Sequence, residues 1–498
     1  DYAKALIYSL NNLDLNLEKE DVLEILNEKV KLRDKSGTFI GARMGRPEKA
    51  KIRKLTGSPQ VLFPVGSEGG RLRCFQSALE KGKIKAQFPI YHCSKCNKNT
   101  IYYVCEVCGE KCKKLGFCED CRKEFESEEC PEHGGLVKFN LQDLDIEHYF
   151  KSALKILGTK DYPQLIKGVR GTSNKDHIPE HLVKGILRAK HHLYVNKDGT
   201  IRYDVTEMPI THFKPKEIGV SIEKLKELGY EKDIEGNDLE NAEQLVEIKP
   251  QDILLPACPE SVEEGADEIL FRTSKFIDEL FEKFYCLGKF YNLNKKEDLV
   301  GHLIIGLAPH TSAAIIGRII GFTKTQGLFA HPLWHSAMRR DCEGDETTIM
   351  LLMDALLNFS RQYLPAHRGA TQDAPLVITS RLIPTEVDDM VFDLDVVWKY
   401  PLELYEAAQN YTNPREIKFI EQLSSRLGQD TQYYNFGFTH DTFDLNSGVR
   451  CSAYKSIPTM QGKVRGQMEI AEKIRAVDEA DVARLIIERH FIRDIKGN

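Results

Sequence analysis

Apolar and charged positions alternate at helical spacing at the start of the chain, as in LEKEDVLEILNEKV, and predict a helical lead-in over residues 1–40. From Gly41 the pattern changes to a basic loop, GARMGRPEKAKIRK, and then to SPQVLFPVGSEGG, a short β-run closed by glycines. Beyond a cysteine-rich insert at 88–136, FNLQDLDIEHYFKSALKIL reads as a helix, and HLYVNKDGTIRYDV as two short strands around an Asp198-Gly199 hairpin turn. Residues 230–247 hold seven acids against one lysine and read as a solvated boundary. DEILFRTSKFIDELFEKFYCLGKFYNL sets Ile269, Phe276, Leu280 and Phe284 on one face and predicts a packed helix. The run HLIIGLAPHTSAAIIGRIIGF, with Gly306, Gly317 and Gly321, reads as strand, turn, and strand or helix. TTIMLLMDALLNFSRQYL, from Thr347, reads as one deeply buried helix, and PLVITSRLIPTEVDDMVFDLDVV as a further β-rich stretch. The pattern is that of a mixed α/β chain with several small β-rich units.

Composition narrows this picture. A chain of 498 residues exceeds one ordinary core, so two to four domains are expected, and 41% hydrophobic with 29% charged residues is the balance of a globular protein. No stretch approaches the ~18 consecutive apolar residues of a membrane span, and DYAKALIYSLNN lacks a basic-then-apolar leader pattern, so a cytoplasmic protein without a membrane partner is expected. The net charge of -6 argues against a uniformly basic nucleic-acid binder, but charge is unevenly placed. GARMGRPEKAKIRK carries six Lys/Arg against one Glu. Between Gly301 and Arg340 there is no acid, and then Asp341, Glu343, Asp345 and Glu346 arrive together.

Eight of the thirteen cysteines fall between Cys93 and Cys130, which favours metal ligation over disulfides in a reducing compartment. Cys93-x2-Cys96, Cys105-x2-Cys108, Cys118-x2-Cys121 and Cys130-x2-His133 form four two-ligand knuckles, enough for two closed tetrahedral Zn²⁺ sites. Sequential pairing is the simplest partition. An interleaved one, or Cys112 in place of another ligand, fits the letters too. Four protein ligands leave no open position, so the expected role is structural.

In an extended segment, the side chains of Asp341, Glu343 and Asp345 would point the same way. Three converging carboxylates repel unless a cation sits among them, and Mg²⁺ suits oxygen donors. Gly344 would permit the tight path. A solvated acidic turn capping the next helix fits the same letters. The lysines of the basic loop, likewise, could form an ordinary solvated face.

The long stretch GLAPHTSAAIIGRIIGFTKTQGLFAHPLWHSAMRRDCEGDE resembles the signature of the large subunit of archaeal family D DNA polymerases. GARMGRPEKAK, SPQVLFPVGSEGG, KGILRAKHHLYVNKDGTIRYD, ITHFKP, DALLNFSRQYLP and KIRAVDEADVARLIIERHFI resemble other parts of that family in the same order, from about Gly41 to Asn498. The resemblance implies an RNA-polymerase-like core of two facing double-psi β-barrels, with an inserted double zinc module and surrounding helices. The first barrel would span 41–87 and 137–215, with a helical and acidic connector over 216–300, the second barrel over 301–400 and an accessory region over 401–498. It implies DNA-directed DNA polymerase chemistry with two Mg²⁺ ions held by Asp341, Glu343 and Asp345, Lys51 and Lys54 acting on phosphate charge, and two structural Zn²⁺ ions. Arg43, Arg46, Lys49, His335, Arg339 and Arg340 become candidate phosphate contacts. The implied partners are primer-template DNA, dNTPs, a small exonuclease-type subunit, and a sliding clamp engaged through regions beyond this core; against the family the chain reads as a fragment without the amino-terminal region and the last cysteine cluster.

Three departures stand out against the family pattern Asn-Cys-Asp-Gly-Asp-Glu-Asp: Asp341 replaces the Asn, Glu343 the first Asp, and Thr347 the last. They motivate a second reading, a non-catalytic DNA-binding scaffold, and a third, an RNA polymerase or primase with a three-acid motif.

Overall fold

The computed structural model describes residues 58–309, 311, 313–339, 344–367, 376–410, 412–437, 444–447, 450–451, 456–473 and 478–492. The expected helical lead-in and the basic loop with Arg43, Arg46, Lys49, Lys51 and Lys54 lie outside the described residues. The chain divides into two units, one of Ile52–Thr439 with Phe443–Ser452, the other of Asp1–Lys51, His440–Thr442 and Ala453–Asn498. In the second, the described residues form the helices Met460–Lys473 and Glu479–Leu485, the latter capped by Asp478.

The larger unit opens with helix α1 (Phe75–Lys81) and strand β1 (Lys83–Pro89), which pairs antiparallel along its whole length with β2 (Phe139–Asp145). The expected helix from Phe139 therefore begins only at Ile146: alternation in FNLQDLD serves the ladder, and Asp145, accepting from the His148 N–H at 3.1 Å, starts α2 (Ile146–Leu157). With α3 (Leu182–Lys190), these elements enclose Phe63, Phe75 and Phe88. Arg188 of α3 is fully buried and holds Glu180 through two hydrogen bonds of 2.8 Å.

The Asp198-Gly199 turn forms, with Asp198 accepting from the Thr200 N–H and Oγ1 at 3.0 and 2.7 Å. Its expected first strand does not; only β3 (Tyr203–Pro209) follows, because its partners lie elsewhere in the sequence. The acidic stretch after α4 (Ile222–Glu227) keeps most of its carboxylates exposed but is anchored by buried Tyr230, Leu239 and Val246, so it is a folded appendage and not a bare linker.

Six strands close a barrel. β4 (Asp252–Pro256) precedes α5 (Ala266–Lys283), the expected packed helix, with Ile269, Phe276 and Leu280 buried. β5 (Leu303–Leu307) and β6 (Ala313–Thr323) settle the ambiguous glycine-containing run as strand, turn and strand. β7 (Leu328–Ala330), α6 (Pro332–Ala337), β8 (Glu346–Leu351) and α7 (Leu352–Asn358) follow. The order around the barrel is β4-β7-β3-β8-β5-β6, and β6 returns to β4 in a parallel pairing; β3 also runs parallel to β7. β3 and β4 come from ahead of residue 301, so the barrel draws on a longer span than 301–400.

The single helix expected from Thr347 is half strand. Ile349 and Leu351 enter one core cluster and Met350 another, so β8 is apolar on both faces and reads as a continuous run. The expected β-rich stretch from Pro375 contributes just β9 (Val377–Thr379), parallel to β6; Pro384 and the cap Asp388 then start short 3₁₀ turns.

Candidate active site and metal-binding module

α6 lies against the barrel. Its Trp334 is buried, and the indole Nε1–H donates to the Ile316 carbonyl at 3.2 Å. Gly306 and Gly317 make room for it: a Cβ at 306 would stand 2.3 Å from Trp334 Cη2, and one at 317 would be 3.1 Å from Nε1. Trp334 is thus a packing anchor. His331 caps α6, accepting from the Leu333 N–H at 3.1 Å. Burial, and then the nearby His335 and His212, push its ring down to about 3. His212 is pushed down to about 4 by burial.

α6 feeds directly into the acidic loop. Arg339, exposed, takes a left-handed φ of 61°. Arg340, Asp341 and Glu343 lie outside the described residues. Gly344 has φ 85°, and an added Cβ would meet nothing closer than Thr206 Cγ2 at 3.9 Å, so glycine is favoured there by backbone conformation and not by space. Asp345 is half-buried, and its carbonyl accepts from the Glu207 N–H at 3.0 Å. Glu346 then pairs with Thr206 as β8 joins β3. Thr347, at the position where the resembled family has its last Asp, is fully buried, and its Oγ1 donates to the Leu307 carbonyl at 3.3 Å. A carboxylate here would face the barrel interior.

His335 needs correction. As a phosphate contact it would have to be accessible, but it is completely buried, with Nδ1 3.1 Å from Glu207 Oε2. Glu207 went unnoticed in the sequence. Its signal was parity: in the strand pattern Tyr203 and Val205 point inward, and Glu207 occupies the same inward phase.

The cysteine-rich insert hangs from the closing pair Pro89↔Phe139 of the β1–β2 ladder. Two ligand sets gather in it, Cys93/Cys96/Cys105/Cys108 and Cys118/Cys121/Cys130/His133, each with its ligand atoms within 4.8 Å of one another. This is the sequential pairing of knuckles. Sulfurs bound at about 2.3 Å to one tetrahedral ion stand about 3.8 Å apart. The separations fit: 3.5 Å for Cys93–Cys108, 4.0 Å for Cys96–Cys105, 3.8 Å for Cys121–Cys130, and 3.7 Å from His133 Nδ1 to both Cys118 and Cys130. The four knuckles share a backbone device, a left-handed residue directly after the second ligand: Asn97 at φ 50°, Gly109 at 75°, Arg122 at 55° and Gly134 at 80°. Cys112 lies beside the first set, but is not one of its four. Burial first, and neighbouring thiols after it, push its thiol up to about 12, and its Sγ donates to the Glu110 carbonyl at 3.6 Å.

A closed six-stranded barrel carrying an acidic loop, with a paired-knuckle module on a β-ladder, defines a mixed α/β multidomain core. The family description "DNA polymerase II large subunit DP2, catalytic domain" matches residues 158–463, and "DNA polymerase II large subunit DP2, central domain" matches residues 3–127. The chain belongs to the DNA polymerase II large subunit family. It is 49% identical to the DNA polymerase II large subunit of Archaeoglobus fulgidus over 494 residues, covering 96% of this chain and 42% of that protein. The proteins of the same name from Nanoarchaeum equitans and Pyrococcus furiosus are 45% and 46% identical, covering 99% and 100% of this chain and 44% and 40% of theirs. The chain thus spans about two fifths of the length of these relatives. Among the described residues, no helix is long and apolar enough to cross a membrane.

Proposed function

We propose that this chain is the catalytic core of a DNA-directed DNA polymerase. The reaction joins the primer 3′ oxygen to the α-phosphorus of a dNTP as the bond to pyrophosphate breaks. Asp341, Glu343 and Asp345 form the metal-holding loop in this reading, and their hard oxygen donors suit Mg²⁺. Bound there, two Mg²⁺ ions supply Lewis-acid charge at the attacking and leaving oxygens. Lys51 and Lys54 offset phosphate charge, while Arg43, Arg46, Lys49, Arg339 and Arg340 hold the DNA backbone. The barrel is one of a facing double-psi pair, a reading supported by its two parallel pairings, β3–β7 and β4–β6. Zn²⁺ fills the two knuckle sets and keeps the module folded. A small exonuclease-type subunit and a sliding clamp complete the replication assembly.

The observation that carries the reading is the position of Asp345, half-buried where the acidic loop enters β8 and tied by its carbonyl to the Glu207 N–H at 3.0 Å. Primer extension with Mg²⁺ tests it, comparing wild type with Asp345→Ala. Loss of extension, about 10²-fold or more, with DNA affinity kept, is expected. A folded, DNA-binding wild type that never extends a primer would favour the scaffold reading, and primer-independent ribonucleotide incorporation would favour the RNA polymerase or primase reading.

A further inference from the structure

Building on the reading of the 341–345 segment as the catalytic loop, we propose that Glu207 and His335 are a positioning pair that sets where Asp345 stands. The two side chains are fully buried and meet at 3.1 Å. Each sits on the element that holds one end of the loop. His335 is in the last turn of α6, which delivers the chain to Arg339; Glu207 is in β3, and its own N–H holds the Asp345 carbonyl at 3.0 Å. One side-chain contact therefore ties the loop's entrance to its exit. The described residues that flank it, Arg339 and Gly344, both have a left-handed φ, 61° and 85°.

Filling space does not explain the pair. The inward positions before Glu207 on β3 are Tyr203 and Val205, and an apolar residue would fill this one without desolvating a carboxylate, a penalty of several kcal/mol per ion. Among the described residues the side-chain nitrogens and oxygens of Glu207 and His335 have no hydrogen-bond partner, and the 3.1 Å contact is the polar approach they make to each other. Neither group can reach substrate from its buried position, so both act through the loop.

The experiment replaces the pair by apolar residues of similar size in the full chain, Glu207→Leu with His335→Leu, alongside the single variant Glu207→Gln. Such a swap commonly keeps or raises stability, which separates positioning from support. The expected result has three parts. Melting temperature holds, amide exchange accelerates at least about tenfold in the peptide covering 338–346 but not in Leu303–Leu307, and kcat falls about 10- to 100-fold with KM for dNTP and DNA within about twofold. Glu207→Gln, which keeps a polar side chain of the same length within reach of the ring, recovers most of both losses. Wild-type loop exchange and kcat in the doubly apolar variant would overturn the proposal; so would exchange rising throughout the barrel together with a lower melting temperature. Loop exchange that responds as expected in a protein whose wild type extends no primer would support the tie while removing the polymerase reading.

Discussion

Single residues around the acidic loop do different work with the same chemistry, and two glycines show it. At Gly306 the constraint is space, because a Cβ would press on the Trp334 ring at 2.3 Å; at Gly344 it is conformation, because φ is 85° and the surroundings are open. Gly306→Ala should therefore destabilise the barrel by about 1–3 kcal/mol, the usual range for overpacking, through displacement of α6. Gly344→Ala should cost only about 1 kcal/mol of backbone strain, yet reduce extension more than Gly306→Ala does, since it re-aims the loop next to Asp345. Denaturant unfolding and primer extension on both variants check the crossing of the two effects. Equal ratios of lost stability to lost activity would show that the two glycines serve one purpose.

Elements differ in how far local sequence can announce them. The cysteine knuckles were legible because two residues separate the members of each pair, and the left-handed residue after each pair is a local matter; their sequential pairing, left open by the letters, needed the fold. β8 was not legible, since a strand covered on both faces and a buried helix both appear as an apolar run. Its partners, β3 and β5, lie about 140 and 40 residues upstream, beyond any local pattern. The acidic segment could be read as a motif, but the buried Glu207–His335 contact could not, because the two residues come together only when β3 pairs with β7, the strand that leads into α6. The separateness of the two ligand sets leads to a prediction at this scale. Each ligand set is complete within its own two knuckles, so Cys118→Ser should lower bound zinc from two ions to one and leave the first set loaded. Metal analysis reads the count. The thermal transition of the barrel should stay in place, because the segment holding the second set, 116–135, contributes no residue to the core that Ile101 and Tyr102 share with the barrel; loss of both ions together would mean a shared site.

The whole molecule carries its ionisable interior in opposing senses, and the balance determines how it responds to acid. His181, buried beside Tyr102 and Phe284, is pushed down to about 3 by burial, as is His331, and His212 is pushed down to about 4. Depressed histidines stay neutral in the folded state while the unfolded chain takes up protons near pH 6.5, so their stabilisation is lost as pH falls below that value. Asp354, fully buried, has the opposite sign: burial raises it to about 6, so the folded state takes up its proton first and gains stability as pH falls toward the unfolded value. Between about pH 6.5 and 5.5 the three histidines each remove about 1 kcal/mol and Asp354 returns about 0.7, a net loss on the order of 2 kcal/mol. His181 offers the cleanest test, because its ring also caps α3 by accepting from the Val183 N–H at 3.3 Å. His181→Asn keeps a capping acceptor but removes the titration. Unfolding free energies at the two pH values should show the variant losing about 1 kcal/mol less than wild type. An unchanged loss would mean that His181 takes up its proton in the folded protein, and that the acid response of the unit is set by its other buried groups.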